Sequence, residues 1–150
     1  MSLIVLLDAG PLGMVTNPKS SSENEACKKW LERLAYNGSE IVIPEIADYE
    51  VRRELLRAGK LSGIDRLDAL KGMLRYDPIT TQVMLRAAEF WATARNAGRQ
   101  SAADVSLDAD MILAAQAGAL VHAGDETVIA TTNVGHLVLF APARVWRDIG

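Results

Sequence analysis

Cysteine, aromatic residues and surplus positive charge are all scarce in this sequence. Its 150 residues include a single cysteine, Cys27, which excludes a disulfide framework or a thiolate zinc site and favours a reducing compartment. The 16 basic side chains are outnumbered by 19 acidic ones, and the net charge of −3 argues against a nucleic-acid coat protein. An enzyme that acts on nucleic acid stays possible, because an acidic metal site and a local basic patch can coexist.

Long apolar runs are missing as well. No stretch approaches the ~20 consecutive apolar residues that a transmembrane helix needs. The opening residues 1–8 are apolar but lack a basic start and end at Asp8, so we predict no signal peptide. We therefore expect a cytoplasmic protein with no membrane contact. Hydrophobic residues make up 49% of the chain, which is typical of a single globular domain over residues 1–150.

Short aliphatic runs alternate with longer segments of helical periodicity. Runs without polar alternation are typical of parallel strands that are buried on both faces. The predicted strands are 3–7, 41–43, 119–121 and 128–131, with weaker ones at 75–79 and 145–146. The predicted helices are 23–36, 45–57, 65–74, 80–96 and 108–117, the last with Ser106 as an alternative start. The alternation predicts an α/β fold, a three-layer α/β/α sandwich with a mostly parallel central sheet.

Four polar residues fall near the carboxyl ends of the predicted strands. Asp8 directly follows the first strand, and Glu50 lies in the helix after the second. Asp110 lies in the first turn of the helix after a long polar loop, and Asn133 follows the strand at 128–131. Ligands of parallel sheets bind at that edge, so we expect the four side chains to converge. Ion pairing, helix-end stabilisation or a turn explains most of them singly, but a carboxylate directly after five aliphatic residues is costly without compensation.

Several carboxylates in one place predict a hard metal ion. Facing carboxylates raise one another's pKa unless a cation lies between them. Ligands that are all oxygen suit Mg²⁺ or Mn²⁺ better than Zn²⁺. Such an ion generates hydroxide from water and stabilises the charge of a phosphate group. The sequence therefore predicts metal-assisted phosphoryl chemistry at this edge of the sheet.

Four segments carry a resemblance to a known family. They are residues 6–12, 43–55, 110–117 and 128–137, which read LLDAGPL, IPEIADYEVRREL, DMILAAQA and VIATTNVGHL. In their order and spacing they resemble the PIN-domain family, in particular the VapC-type toxin ribonucleases. The resemblance implies hydrolysis of RNA to 5′-phosphate and 3′-hydroxyl ends at a divalent-metal site of three or four acids. It implies Asp8, Glu50 and Asp110 as the first three acids, with an antitoxin partner and a homodimer.

The fourth acid of the family is replaced in this chain. Where the family often has Asp, this chain has Asn133, whose amide oxygen can bind a metal or orient water but brings no charge. Asp108 is the candidate to supply the missing charge, with a helix cap as the alternative. Glu54 lies one turn beyond Glu50, and we expect it to pair with Arg57 or to pack at the core edge. Thr131 and Thr132 are candidates to hold a metal-bound carboxylate.

A basic run accompanies the second acid. Arg52, Arg53, Arg57 and Lys60 lie in and just after the helix of Glu50, where a solvated face and a contact with RNA phosphates are equally supported. Few aromatic residues accompany them, so stacking on single-stranded bases is not predicted. Specificity for RNA would come from shape or from loops such as residues 98–106.

Three functions compete. The first is a metal-dependent endoribonuclease in which Asn133 helps to position the attacking water or the metal. The second, prompted by that asparagine, is a PIN-like module with a damaged metal site that binds RNA or a protein partner. The third is a phosphate enzyme with Asp8 as a phosphorylated nucleophile, which ranks last because Gly10 stands where a dehalogenase-type phosphatase has a second Asp.

Overall fold

A five-stranded parallel sheet organises the chain. The computed structural model describes residues 3–97, 104–121 and 125–150, except the side chains of 104–106. Within these ranges the strands are β1 (Leu3–Leu7), β2 (Glu40–Pro44), β3 (Arg75–Asp77), β4 (Glu126–Thr131) and β5 (Ala143–Val145). Their order across the sheet is β3-β2-β1-β4-β5, and each neighbouring pair is parallel. The carboxyl ends of all five strands therefore point to the same edge.

Six helices in the described ranges cover the two faces of the sheet. They are α1 (Ala9–Thr16), α2 (Ser22–Tyr36), α3 (Glu45–Arg57), α4 (Leu61–Lys71), α5 (Thr81–Asn96) and α6 (Asp104–Ala119). One core joins the sheet to α1, α2, α3 and α4, and the opposite core joins it to α6, on which α5 packs. This arrangement confirms the predicted α/β/α sandwich. None of the described helices is long and apolar enough to cross a lipid bilayer.

Strand β1 shows why the aliphatic runs do not alternate with polar residues. Ile4 and Leu6 point into the core with α6, whereas Val5 and Leu7 point into the core with α1 and α2. All four side chains are at most 1% exposed. A polar residue at any of these positions would be desolvated on either face, so the central strand is aliphatic throughout.

The sequence-based prediction is wrong at helix α6 and at the strand predicted for 119–121. Helix α6 begins at Asp104, before Ser106 and Asp108, so residues 104–106 are helical, while 98–103 lie outside the described residues. The helix continues to Ala119, and the backbone N–H groups of Leu120 and Val121 bond back to the helix. Leu120 is 5% exposed and packs in the core of α6, so its apolar character serves the helix end and not a strand.

Helix α1 was not predicted, and helix α4 begins at Leu61, four residues before its predicted start. Helix α1 contains Gly10, Pro11 and Gly13, which are poor helix formers. Pro11 is tolerated because it lies in the first turn, where backbone N–H groups have no partner within the helix. Gly10 packs closely on Thr132, since a Cβ atom there would lie 2.6 Å from Cγ2 of Thr132 and that side chain would have to shift.

Candidate metal centre

Asp8 is fixed between the ends of two neighbouring strands. Its backbone N–H donates to the carbonyl of Ala130 at 3.0 Å, which continues the pairing of β1 with β4. Its carboxylate caps α1, because Oδ1 accepts from the N–H of Ala9 at 2.7 Å. Oδ2 accepts from the hydroxyl of Thr131 at 2.7 Å. Neutral groups thus orient both oxygens, and each oxygen keeps acceptor capacity for a further ligand.

Glu50 and Asp110 face Asp8 from two different helices. Burial, followed by the negative charges of Asp8 and Asp110, raises the pKa of Glu50 to about 7, although Arg53 opposes this shift. Burial and the charge of Asp8 raise the pKa of Asp110 to about 6. Burial also raises the pKa of Asp8 against the lowering effect of its two hydrogen bonds. Three acids that are far apart in the sequence are therefore electrostatically coupled at one edge of the sheet.

The chemistry of these donors fits a hard divalent cation. All are carboxylate oxygens, which suit Mg²⁺ or Mn²⁺, and a cation among them would offset the burial and the repulsion that raise pKa values in this cluster. Electrostatic coupling of the three carboxylates does not by itself mean that they are placed to coordinate one ion. As the side chains stand in the described ranges, no group of three His, Cys, Asp or Glu is arranged to hold a metal ion. Shared coordination would therefore require side-chain rotation of these acids.

The two candidates for a fourth ligand lie apart from this cluster or are engaged elsewhere. Asp108 is exposed and lines a groove between α5 and α6 together with Met84 and Trp91. Asp108 and Asp110 are two residues apart, so they point to nearly opposite sides of α6. Since α6 begins at Asp104, the alternative prediction that Asp108 caps this helix is wrong. Asn133 is exposed, and its Oδ1 accepts from the N–H of Gly135 at 3.1 Å in the turn after β4.

Thr131 and Glu54 behave as the sequence predicted. The hydroxyl of Thr131, a residue 2% exposed, holds the Asp8 carboxylate, while Thr132 is exposed and packs against Gly10. Glu54 pairs with Arg57, whose Nη2 lies 2.9 Å from Oε2. It is therefore an ion-paired residue on an exposed surface.

A cleft of about 730 Å³ opens beside Glu50, a feature that sequence patterns did not reveal. Helix α1 and residues 17–19 form one wall, and α3 with the segment up to Lys60 forms the other. Met14, Val51 and Leu55 contribute aliphatic surface, and the charged residues along it are Lys19, Glu50, Glu54, Arg57 and Lys60. The sequence did not predict the cleft because it did not predict α1, which forms one of its walls. The small residues Gly10 and Gly13 line the cleft and were the only hint of it in the sequence.

The basic run divides into structural and accessible members. Arg52 lies 3.0 Å from Oδ1 of Asp48 and 2.7 Å from Oδ1 of Asp68, so it joins α3 to α4. Its assignment to RNA phosphates is therefore not supported. Arg57 and Lys60, in contrast, line the cleft.

Fold and site together define an α/β/α-sandwich protein with an acidic cluster at the carboxyl edge of its parallel sheet. The family model of the PIN domain matches residues 5–135, and the chain belongs to the PIN domain family. This confirms the resemblance seen in the sequence. No curated protein sequence matches the chain significantly.

Solved structures share the fold at low sequence identity. VapBC2 from Rickettsia felis, bound to a DNA fragment from its promoter, has a TM-score of 0.71 and 15% identity and covers 95% of this chain and 98% of its own. VapBC-1 from nontypeable Haemophilus influenzae has a TM-score of 0.65 at 16% identity, covering 97% and 99%. DNA-bound VapBC from Salmonella typhimurium has a TM-score of 0.59 at 18% identity, covering 96% and 98%. At such identities the likeness establishes the fold.

Proposed function

We propose that this chain is a divalent-metal-dependent endoribonuclease and the toxin of a toxin–antitoxin pair. The observation that carries the nuclease proposal is the electrostatic coupling of Asp8, Glu50 and Asp110 at the carboxyl edge of the sheet, within a PIN-family fold. A metal-dependent hydrolase of phosphodiester bonds needs such a concentration of oxygen ligands.

The three acids would hold Mg²⁺ or Mn²⁺. When bound, such an ion lowers the pKa of water and stabilises charge on the phosphate. Thr131 and the N–H of Ala9 orient the carboxylate of Asp8. Asn133 is proposed to help position water or substrate from the turn after β4. We do not retain Asp108 as a metal ligand, because it lines the groove between α5 and α6.

The cleft beside Glu50 is proposed to receive the RNA strand. Lys19, Arg57 and Lys60 lie along it, where they would contact phosphates of nucleotides that flank the cleaved bond. The aliphatic wall supplied by Met14, Val51 and Leu55 would contact ribose and base without aromatic stacking. Contacts of this kind predict recognition by shape and charge.

An antitoxin partner is proposed because the similar structures are VapBC complexes. A homodimer is proposed from the exposed apolar residues Met84, Leu85 and Trp91 on α5, which are 47%, 58% and 38% exposed. Light scattering of the wild type and of Trp91→Glu tests this. The homodimer proposal fails if both are monomers at micromolar concentration.

RNA cleavage with and without chelator tests the proposed activity. End-labelled transfer, ribosomal and messenger RNA are incubated with the protein in Mn²⁺, in Mg²⁺ and in EDTA, and the ends of the products are identified. Cleavage that requires the metal and leaves 5′-phosphates supports the proposal. A protein that binds RNA but neither binds Mn²⁺ nor cleaves would instead be the binding module that the substitution at Asn133 suggests.

A further inference from the structure

Helix α3 begins without a cap from its own sequence. Its N-cap residue is Pro44, which makes no side-chain hydrogen bond to the first turn. The first backbone N–H groups of a helix have no partner within it and need one from elsewhere. One partner comes from α6, since the N–H of Ile46 donates to Oε1 of Gln116 at 3.4 Å across a separation of 70 residues.

Gln116 is bonded at both ends of its amide. Its side chain is completely buried, at 0% exposure. Nε2 donates to the carbonyl oxygen of Asp77 at 2.8 Å and to its Oδ2 at 3.1 Å. A second tie runs beside it, because Oε1 of Glu45 accepts from the N–H of Ile79 at 2.7 Å. This buried amide thus joins α6, the start of α3 and the end of β3.

The position of this amide relates it to the acids. Ile46 lies one helical turn before Glu50 on α3, and Gln116 lies less than two turns after Asp110 on α6. The two helices that carry these acids are therefore tied to each other by one side chain. A buried amide costs desolvation that an aliphatic residue would avoid, so packing alone gives no reason for glutamine here.

We propose that Gln116 is a positioning residue for the acidic cluster, which fixes the start of α3 relative to α6 and so sets the spacing of Glu50 and Asp110. This inference rests on the proposed function to the extent that both acids hold the metal. Gln116 itself touches neither substrate nor metal. Its effect reaches the cluster through the two helices.

The test compares metal binding with stability. Gln116→Met keeps the volume of the side chain and removes both donor and acceptor. We expect Mn²⁺ affinity, measured by calorimetry, to fall about 10-fold, as it does when groups that orient metal ligands are removed. The electron paramagnetic resonance spectrum of the bound Mn²⁺ should change as well. The control is Trp30→Phe, which removes another buried bond to a backbone carbonyl, that of Trp30 Nε1 to Ile149 O at 2.9 Å, far from the acids.

A second variant separates the cap on α3 from the bond between α3 and α6. Pro44 has the extended backbone of an N-cap residue (φ −71°, ψ 140°), so Pro44→Ser can supply a local cap to the N–H of Ile46. Added to Gln116→Met, it restores the cap but not the bond to α6, so the Mn²⁺ affinity should stay as low as in Gln116→Met. This double variant also keeps the test usable if Gln116→Met alone folds poorly.

Each outcome has a defined meaning. Unchanged Mn²⁺ affinity in Gln116→Met overturns the inference, as does an equal loss in Trp30→Phe. Recovery of the affinity when Pro44→Ser is added overturns it also, because a local cap on α3 would then be sufficient. If the wild type binds Mn²⁺ but cleaves no RNA, the proposed function fails while the Mn²⁺ measurements still judge Gln116. If the wild type binds no Mn²⁺, both proposals fail.

Discussion

Two carboxylates in this molecule, the buried Asp48 and the half-buried Asp8, lie in opposite electrostatic surroundings. Asp48 is 5% exposed and lies 3.0 Å from Arg52, 3.2 Å from Lys71 and 3.2 Å from the hydroxyl of Tyr76. Asp8 receives bonds only from neutral groups among the contacts described, and other carboxylates face it. Asp48 forms ion pairs that join helices, whereas the cluster of Asp8, Glu50 and Asp110 concentrates negative charge.

The difference separates a group that stabilises the fold from a group that is kept despite its effect on the fold. Removing a paired buried carboxylate lowers the stability of the fold, because its cations are left without a partner. Protonating or neutralising a carboxylate in a like-charged cluster raises the stability of the fold, because it removes repulsion. Concentrated charge of this kind is characteristic of functional sites. Substitutions at the two positions should therefore have contrasting effects on activity and stability.

The largest expected effect is on activity at the cluster. Asp8→Asn keeps the shape of the side chain and its cap on α1 but removes a charge, so RNA cleavage should fall at least about 100-fold with the fold intact. Single-turnover cleavage in Mn²⁺ and circular dichroism measure the two effects. The matched control is Asp108→Asn, which removes the same charge from an exposed position on α6 and should keep activity within about 2-fold of the wild type. Full activity in Asp8→Asn would remove the basis of the nuclease proposal.

The next largest effect is on stability, and we expect it at Asp48 and not at Asp8. Asp48→Asn leaves Arg52 and Lys71 without their shared carboxylate and should lower the free energy of unfolding by about 2 kcal/mol. Asp8→Asn, measured in EDTA, should leave stability unchanged or raise it. Urea unfolding followed by tryptophan fluorescence provides both values. Equal destabilisation by the two variants would contradict the distinction drawn between the sites.

The sheet and the three acids could be predicted from the sequence for a shared physical reason. An aliphatic run without alternation must be buried on both faces, and only a parallel sheet between helices provides that for Leu3–Leu7. The carboxyl ends of parallel strands lie at one edge, so topology placed Asp8 there, and topology together with the resemblance to the PIN-domain family placed Glu50 and Asp110. Thr131 was a candidate for its hydroxyl group, and the pairing of β4 with β1 brings that hydroxyl to Asp8.

Features that depend on long-range contacts were beyond the sequence. Helix α1 has poor helix formers and is stabilised by the cap from Asp8 and by close packing of Gly10 on Thr132. The cap of α3 by Gln116 joins residues 70 apart in the chain. Asp108 lies apart from the acidic cluster because α6 begins at Asp104, which makes Asp108 part of the helix. No local signal in the sequence is strong enough to predict that start.

A smaller effect concerns the pH dependence of stability. The pKa of Glu50 rises from its ordinary 4.5 to about 7 on folding, and that of Asp110 from 3.8 to about 6. At these two groups the folded chain binds more protons than the unfolded chain, so in EDTA their contribution to stability is greatest below about pH 4 and falls as the pH rises to about 7.

This pH dependence should distinguish the cluster from Asp48. Glu50→Gln should flatten the decline and raise Tm at pH 7.5 by about 3 °C, roughly 1 kcal/mol after discounting for solvent screening. Asp48→Asn should retain the decline at a lower overall stability. Thermal melts from pH 4 to 8 in EDTA measure both. A wild-type stability that instead increases over this range would show that the cluster does not bear the repulsion inferred for it.

The smallest effect distinguishes two cations of one basic run. Lys60 lines the cleft, so Lys60→Ala should weaken RNA binding a few-fold and reduce the slope of log K against log salt by about 1. Arg52 is held by Asp48 and Asp68, so Arg52→Gln should lower stability and leave that slope unchanged. Filter binding between 50 and 300 mM salt, about the range over which such slopes are linear, supplies the comparison. A reduced slope in Arg52→Gln would mean that the ion pair opens to bind RNA, and that charge near Asp48 serves the substrate as well as the fold.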